Sequence, residues 1–232
     1  MPQERARPST HAASRVTRIL IVDDHPMLRR GLAELISHEP DMGTCGEADD
    51  ADSAMEQVRS ARPDLAIIDI ALRNSNGLEL VKQLHASHPG LRILVCSMHD
   101  ETLFAERSLR AGAMGYVNKE QALDAVVGAI RAVLAGKVYL SGAMAERILH
   151  RVRNGGGALE ESPVQRLTDR ELEVFELLGH GLGTAEIAGR LHLSAKTIDA
   201  HRQKIKRKLG IGSSGELVQQ AVTWVLDRMA GA

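Results

Sequence analysis

The chain has 232 residues, with 29 Lys and Arg against 30 Asp and Glu and a formal net charge of −1. That length suits one medium domain plus one small one, and the neutral balance means that any nucleic-acid surface must come from local clustering. No run approaches the roughly 18 consecutive apolar residues of a membrane span, no signal-peptide core stands near Met1, and Cys45 and Cys96 lack CxxC spacing; a cytoplasmic protein with no membrane partner and two reduced, buried thiols is expected.

Residues 1–16, rich in Arg, Pro, Ser and Ala, have no hydrophobic period and are expected to form a disordered tail. Over residues 17–138, short apolar runs alternate with helical patterns. ILIV precedes PMLRRGLAELISH; a weaker strand at 43–47 precedes ADSAMEQVRSA; LAIID precedes GLELVKQLHAS; RILVCS precedes ETLFAERSLRAG; and GYVN precedes EQALDAVVGAIRAVLAG. Five strand-helix units with short connections predict an α/β, doubly wound, five-stranded parallel sheet with helices on both faces and right-handed crossovers. No GxGxxG follows the first strand, which argues against a dinucleotide cofactor.

Residues 139–163 read as a linker with a short helix at 143–152, ending in the glycine-rich stretch NGGGALEESP. Residues 164–232 read as a smaller all-α domain of four helices, at 168–180, 184–191, 194–209 and 213–229. Capping boxes are expected from Thr168 with Glu171 and from Ser213 with Glu216, a cap from Ser194, and helix ends at Gly181 and Gly210.

The polar residues at the strand ends carry the chemistry. Asp23 and Asp24, Asp69, Ser97 and Lys119 each end or follow an apolar run, and in an open parallel sheet the ligand crevice lies at the carboxyl ends of the strands, beside the switch point of strand order. A carboxylate can accept a phosphoryl group when a cation neutralises the crowded oxygens, and magnesium suits a site with few carboxylates. Asp24 and Asp69 would be direct ligands, Asp23 would act through water, and the backbone carbonyl of Ala71 would complete the set. Lys119 and Ser97 would hold phosphoryl oxygens. An Asp after a strand is also a common helix cap, and Pro26 makes that a plain alternative for Asp24.

RILIVDDH, LAIIDIALRNSNGLEL, ILVCS and GYVNKE together resemble the receiver domain of two-component response regulators, over about half of the chain. The resemblance implies that Asp69 is the phosphoacceptor and that Asp23, Asp24 and Asp69 form the magnesium pocket. It also implies that Ser97 and Lys119 sense the phosphoryl group, and that Tyr116 is the aromatic residue that swings inward with the hydroxyl. The chain departs from the family in having Leu72 and Arg73 where a Met-Pro pair often stands, which removes a rigidifying proline. Ala71 and His99 flank the path of attacking water in this family; apolar Ala71 cannot orient water, so slow autodephosphorylation is the only turnover expected.

The stretch LTDRELEVFELLGHGLGTAEIAGRLHLSAKTIDAHRQKIKRKLGI, residues 167–211, is similar to the LuxR-type helix-turn-helix of the NarL/FixJ subfamily. Within its third helix, Ile198, Ile205 and Leu209 share one face by spacing, leaving Lys196, Asp199, Ala200, Gln203 and Arg207 on the other. With Thr197, His201 and Lys204 these are the candidate DNA contacts. Gln203 could read adenine, Ala200 could meet a thymine methyl, and Asp199 could either accept from cytosine or merely lower nonspecific affinity. Arg202, Lys204, Lys206, Arg207 and Lys208 would bind phosphates. The last helix carries an apolar stripe, Leu217, Val218, Ala221, Val222 and Val225, for core packing or for the dimer that the family forms. The resemblance thus implies a sensor histidine kinase, promoter DNA and a second copy of the chain as partners.

Overall fold

The computed structural model describes residues 15–72, 75–99, 101–153 and 163–230. Nearly all of the expected tail and of the glycine-rich linker falls outside them. Strands β1 (Thr17–Val22), β2 (Met42–Ala48) and β3 (Leu65–Ile68) are followed by a short antiparallel pair, β4 (Ala71–Leu72) with β5 (Ser75–Asn76), and then by β6 (Arg92–Ser97) and β7 (Gly115–Asn118). The five longer strands form one parallel sheet in the order β2-β1-β3-β6-β7. Helices α1 (Pro26–Ser37), α2 (Ala51–Ala61), α3 (Gly77–Ser87) and α4 (Glu101–Ala111) connect them, and α5 (Ala122–Leu134) follows β7.

Alternation along the strands explains why apolar runs this unbroken form a sheet. Ile19, Ile21, Leu65 and Ile67 point to one face and pack with Leu32 and Ile36 of α1 and with Val126, Ala129, Ile130 and Val133 of α5. Leu20, Val22, Ala66 and Ile68 point to the other, against α2, α3 and α4. Both faces are covered, so no strand position is left for a polar residue until the strand ends. The edge strand β2 departs from this pattern. Its pairing with β1 skips Cys45, which sits at a bulge and is half-buried rather than buried as expected, whereas Cys96 on central β6 is fully enclosed.

After α5 the chain passes Tyr139, whose carbonyl accepts from Tyr116 N at 2.9 Å beside β7, and enters α6 (Gly142–Arg153). The smaller domain is α7 (Asp169–Gly179), α8 (Thr184–Arg190), α9 (Ala195–Leu209) and α10 (Ser214–Ala230). Thr168 and Glu171 form a reciprocal capping box on α7, Ser194 Oγ accepts from Thr197 N at 3.1 Å, and Gly210 ends α9 at φ 70°, a conformation that costs glycine little. The box expected on α10 is half formed: Ser213 Oγ accepts from Glu216 N at 3.1 Å, but the Glu216 carboxylate reaches Gly212 N, one residue early. Ile187, Ile198, Ile205, Leu217 and Ala221 close the core of this domain, with Phe175 edge-on to Trp224 at 5.4 Å. That core belongs to one buried cluster with the α2-α3-α4 side of the sheet, which also includes Leu167 and Met144.

Candidate phosphoacceptor site and its docked output domain

The chain runs from β1 outward to β2 and then back across β1 to β3, so the strand order reverses between β1 and β3. Asp23 and Asp24 leave β1 and Asp69 leaves β3 on either side of that reversal. Ser97 ends β6 and Lys119 follows β7, so four adjacent strands deliver the five residues to one edge. All five are buried. The cap alternative for Asp24 fails: His25 holds the N-cap position of α1, without a side-chain cap bond, and Pro26 takes the first turn.

Lys119 Nζ lies 2.6 Å from Asp23 Oδ2 and 2.6 Å from Asp69 Oδ2, tying the two carboxylates together. Asp23 Oδ1 accepts from His25 N at 2.8 Å. Burial raises the Asp69 pKa, opposed first by the Lys119 ammonium; burial works against the charge of Lys119, but Asp69 and Asp23 outweigh it and its pKa is raised. Two oxygens remain. Asp24 Oδ1 and Asp69 Oδ1 are buried without a hydrogen-bond partner, although His25 Nδ1 stands 2.7 Å from the former. Ligand atoms of Asp23, Asp24, His25 and Asp69 lie within 4.8 Å of one another. Orphaned buried carboxylate oxygens in such a group have the donor chemistry that a hard divalent cation requires. His25 is an addition to the expected set; its place directly after the acidic pair was the available signal.

The backbone around Asp69 leaves no room for a side chain at Gly77. A Cβ there would stand 1.9 Å from the Asp69 carbonyl oxygen, and Gly77 N itself donates to Ile70 O at 2.8 Å. Ala71, half-buried on β4, begins the short hairpin that takes the place of the family's usual proline-stiffened loop. Tyr116 is buried with its ring inward, its hydroxyl donating to His99 O at 2.7 Å and close to the Ser97 hydroxyl. Any motion of Tyr116 on signalling would therefore start from a ring already enclosed.

The smaller domain docks against this edge through contacts that the sequence does not announce. Asn76 caps α3 with its oxygen and donates from Nδ2 to Glu173 Oε1 at 2.6 Å. Asp169 meets Lys82 at 3.0 Å and Arg107 at 2.8 Å. His99 Nδ1 pairs with Glu176 Oε2 at 2.7 Å while its ring lies on Phe104, and His192 Nε2 lies 3.0 Å from Asp24 Oδ2. The residues from Glu171 to Gly179 are all buried, because one side of α7 packs on α9 and α10 while Asp169, Glu173 and Glu176 meet the larger domain.

On α9, Ile198 and Ile205 are buried and Leu209 is half-buried, whereas Lys196, Asp199, Ala200, Gln203, Lys204 and Arg207 are exposed. Thr197 is half-buried with its hydroxyl 2.8 Å from Ser194 Oγ, and His201 is half-buried with Nδ1 enclosed and unpartnered. Two members of the basic cluster are engaged internally: Lys208 pairs with Glu171 at 2.6 Å, and Arg202 donates to Thr184 Oγ1 at 2.6 Å. On α10, Leu217, Ala221 and Val225 enter the core, Val218 and Val222 are half-buried, and Leu226 is exposed.

Residues 19–131 match the family model of the response regulator receiver domain, and residues 165–221 that of the bacterial regulatory proteins, luxR family. The transcriptional activator protein ExaE of Pseudomonas putida is 38% identical over 215 residues, which span 91% of this chain and 99% of that one. A two-component response regulator of the LuxR family from Aurantimonas sp. is 35% identical, with a TM-score of 0.56 over 60% of this chain and 99% of that chain. The RcsB response regulator of Salmonella typhimurium shares the fold at 23% identity, with a TM-score of 0.62 over 90% of this chain and 98% of that one.

Proposed function

The chain belongs to the two-component response regulators that join a receiver domain to a LuxR-type DNA-binding domain, and on that premise we propose that it is a cytoplasmic, phosphorylation-dependent transcription regulator that takes a phosphoryl group on Asp69 from a partner histidine kinase. The observation that carries this reading is the delivery of Asp23, Asp24, Asp69, Ser97 and Lys119, all buried, to one edge of four adjacent strands. Asp24 and Asp69 would hold magnesium through their unpartnered oxygens, with Asp23 and the Ala71 carbonyl behind them. The ion supplies charge neutralisation for the phosphoryl oxygens.

The chain's own groups do the rest. Asp69 is the nucleophile, and the Lys119 ammonium opposes the rise in its pKa that burial causes. Once the carboxylate carries a phosphoryl group, Lys119 can transfer its hydrogen bond from the Asp69 oxygen to a phosphoryl oxygen, and the Ser97 hydroxyl can take another. Ser97 adjoins Tyr116, and Tyr116 holds the His99 carbonyl, so a shift of Ser97 reaches the residue that pairs with Glu176 of the output domain. The output would be promoter binding by the exposed face of α9, with α10 and its exposed Leu226 in a homodimer of the phosphorylated protein. No catalytic turnover beyond slow loss of the phosphoryl group belongs to this reading.

Intact-mass spectrometry after incubation with a small phosphodonor tests it. Addition of one phosphoryl group that requires magnesium and is absent from Asp69→Asn is the expected result. No addition under any condition would instead make the receiver a contact module on a constitutive DNA-binding protein.

A further inference from the structure

One contact brings the output domain to the acidic pocket itself. His192 lies in the turn between α8 and α9, two positions before the cap Ser194, and its backbone is left-handed at φ 52°. A non-glycine residue holds that conformation at some cost. From there Nε2 reaches to 3.0 Å from Asp24 Oδ2, although Asp24 is almost fully enclosed. Asp24 thus divides its oxygens: Oδ2 faces a residue of the other domain, and Oδ1 is left without a hydrogen-bond partner toward Asp23, His25 and Asp69.

We propose that His192 and a divalent cation are antagonists at Asp24, so that docking of the output domain weakens cation binding and a bound cation loosens the docked domain. The inference rests on the reading of the pocket as a cation site. Three carboxylates, Asp23, Asp24 and Asp69, face one ammonium, Lys119, and the surplus negative charge favours the approach of the His192 imidazole to Asp24 Oδ2. That surplus is cancelled when a divalent cation is held by the same carboxylates, and the attraction of the Asp24 carboxylate for the His192 imidazole weakens with it. Among the described residues, the docking contacts at Asn76, Lys82, His99 and Arg107 use none of the carboxylates of the pocket. His192 is therefore the residue that couples the two events, and linkage makes the coupling equal in both directions. His192 also stands next to the start of the helix that would enter DNA, so its release frees the N-terminal end of α9.

The test is magnesium titration of the unphosphorylated full-length chain by calorimetry, comparing wild type with His192→Gly and His192→Ala. Glycine accepts the positive φ without strain and so separates loss of the side chain from damage to the turn. Both variants should bind magnesium at least about five-fold more tightly than wild type. Saturating magnesium should speed amide exchange in α7 of wild type but leave exchange in the variants unchanged. Equal affinities would overturn the coupling, and weaker binding by both variants would show that His192 steadies Asp24 for the cation instead. If none of the three proteins binds magnesium, the reading of the pocket as a cation site fails, and the antagonism falls with it; binding by all three at one affinity removes the antagonism alone.

Discussion

His99 is the residue at which the acidic edge of the sheet meets a carboxylate of the output domain. Burial lowers its pKa, but the hydrogen bond to Glu176 and the charges of Glu176, Glu173 and Asp69 outweigh burial and the net shift is upward. A histidine whose folded pKa lies above its unfolded value contributes stability that is complete below the ordinary histidine range and lost as pH rises through the folded pKa. Glu173, pushed up by burial against the pull of Arg170, works in the same direction. The docked arrangement should therefore loosen as pH rises from the ordinary histidine value upward, seen as faster exchange in α7 after correction for the intrinsic rate. Glu176→Gln, which keeps an acceptor but no charge, should flatten that dependence; an unchanged profile in the variant would place the titration elsewhere. Gly77 makes a purely steric prediction. With a Cβ 1.9 Å from the Asp69 carbonyl, Gly77→Ala must move the backbone that carries Asp69, costing about 1–3 kcal/mol in thermal unfolding and, on the proposed chemistry, slowing phosphoryl uptake.

At the scale of elements, α7 and α9 divide the work of the output domain. α7 carries three buried glutamates, each held: Glu171 by Lys208 and Thr168 N, Glu173 by Arg170 and Asn76, Glu176 by His99. A helix this enclosed is part of two interfaces at once, so its acids fix orientation as well as stability. α9 begins on the Ser194 cap, and Ser194→Ala should cost about 1 kcal/mol of output-domain stability, read by chemical unfolding. Its exposed face makes a second prediction. Gln203→Ala should change the preferred operator sequence, whereas Lys204→Ala should weaken all sequences alike and lower the salt slope by roughly one unit. The pairing of Lys208 with Glu171 means that Lys208→Ala should lower stability more than it lowers affinity for DNA.

For the whole molecule, docking joins two domains through a short row of polar contacts set beside a continuous apolar core. The Asp169 pairs with Lys82 and Arg107 are partly exposed, so salt screens them, while the enclosed His99-Glu176 pair is screened less. Asp169→Ala should therefore expose α7 to exchange in full-length protein while β1, β3 and β6 keep their protection; simultaneous loss of protection in the sheet would mean that the two domains unfold as one unit.

The strand ends were readable because the signals are local. A sheet covered on both faces forces apolar residues until the strand stops, so the first polar residues at 23, 24, 69, 97 and 119 stand out in the chain. The capped helices of the output domain were readable for the same reason, since a cap is decided within four residues. Cys45 and Glu216 departed from expectation where a bulge or a one-residue shift at a helix start decided the outcome. The docked interface had no such signal. Asn76 and Glu173 are 97 residues apart, and Asp169, Glu176 and His192 have the pattern of ordinary helix-surface and turn residues. The sequence by itself determined the doubly wound sheet, the helix-turn-helix and the five polar residues that meet at one edge of the sheet. Only the tertiary structure decided that the output domain covers that edge and shares Asp24 with it, because docking depends on the summed contacts of two separately folded surfaces, and no short window of chain carries that sum.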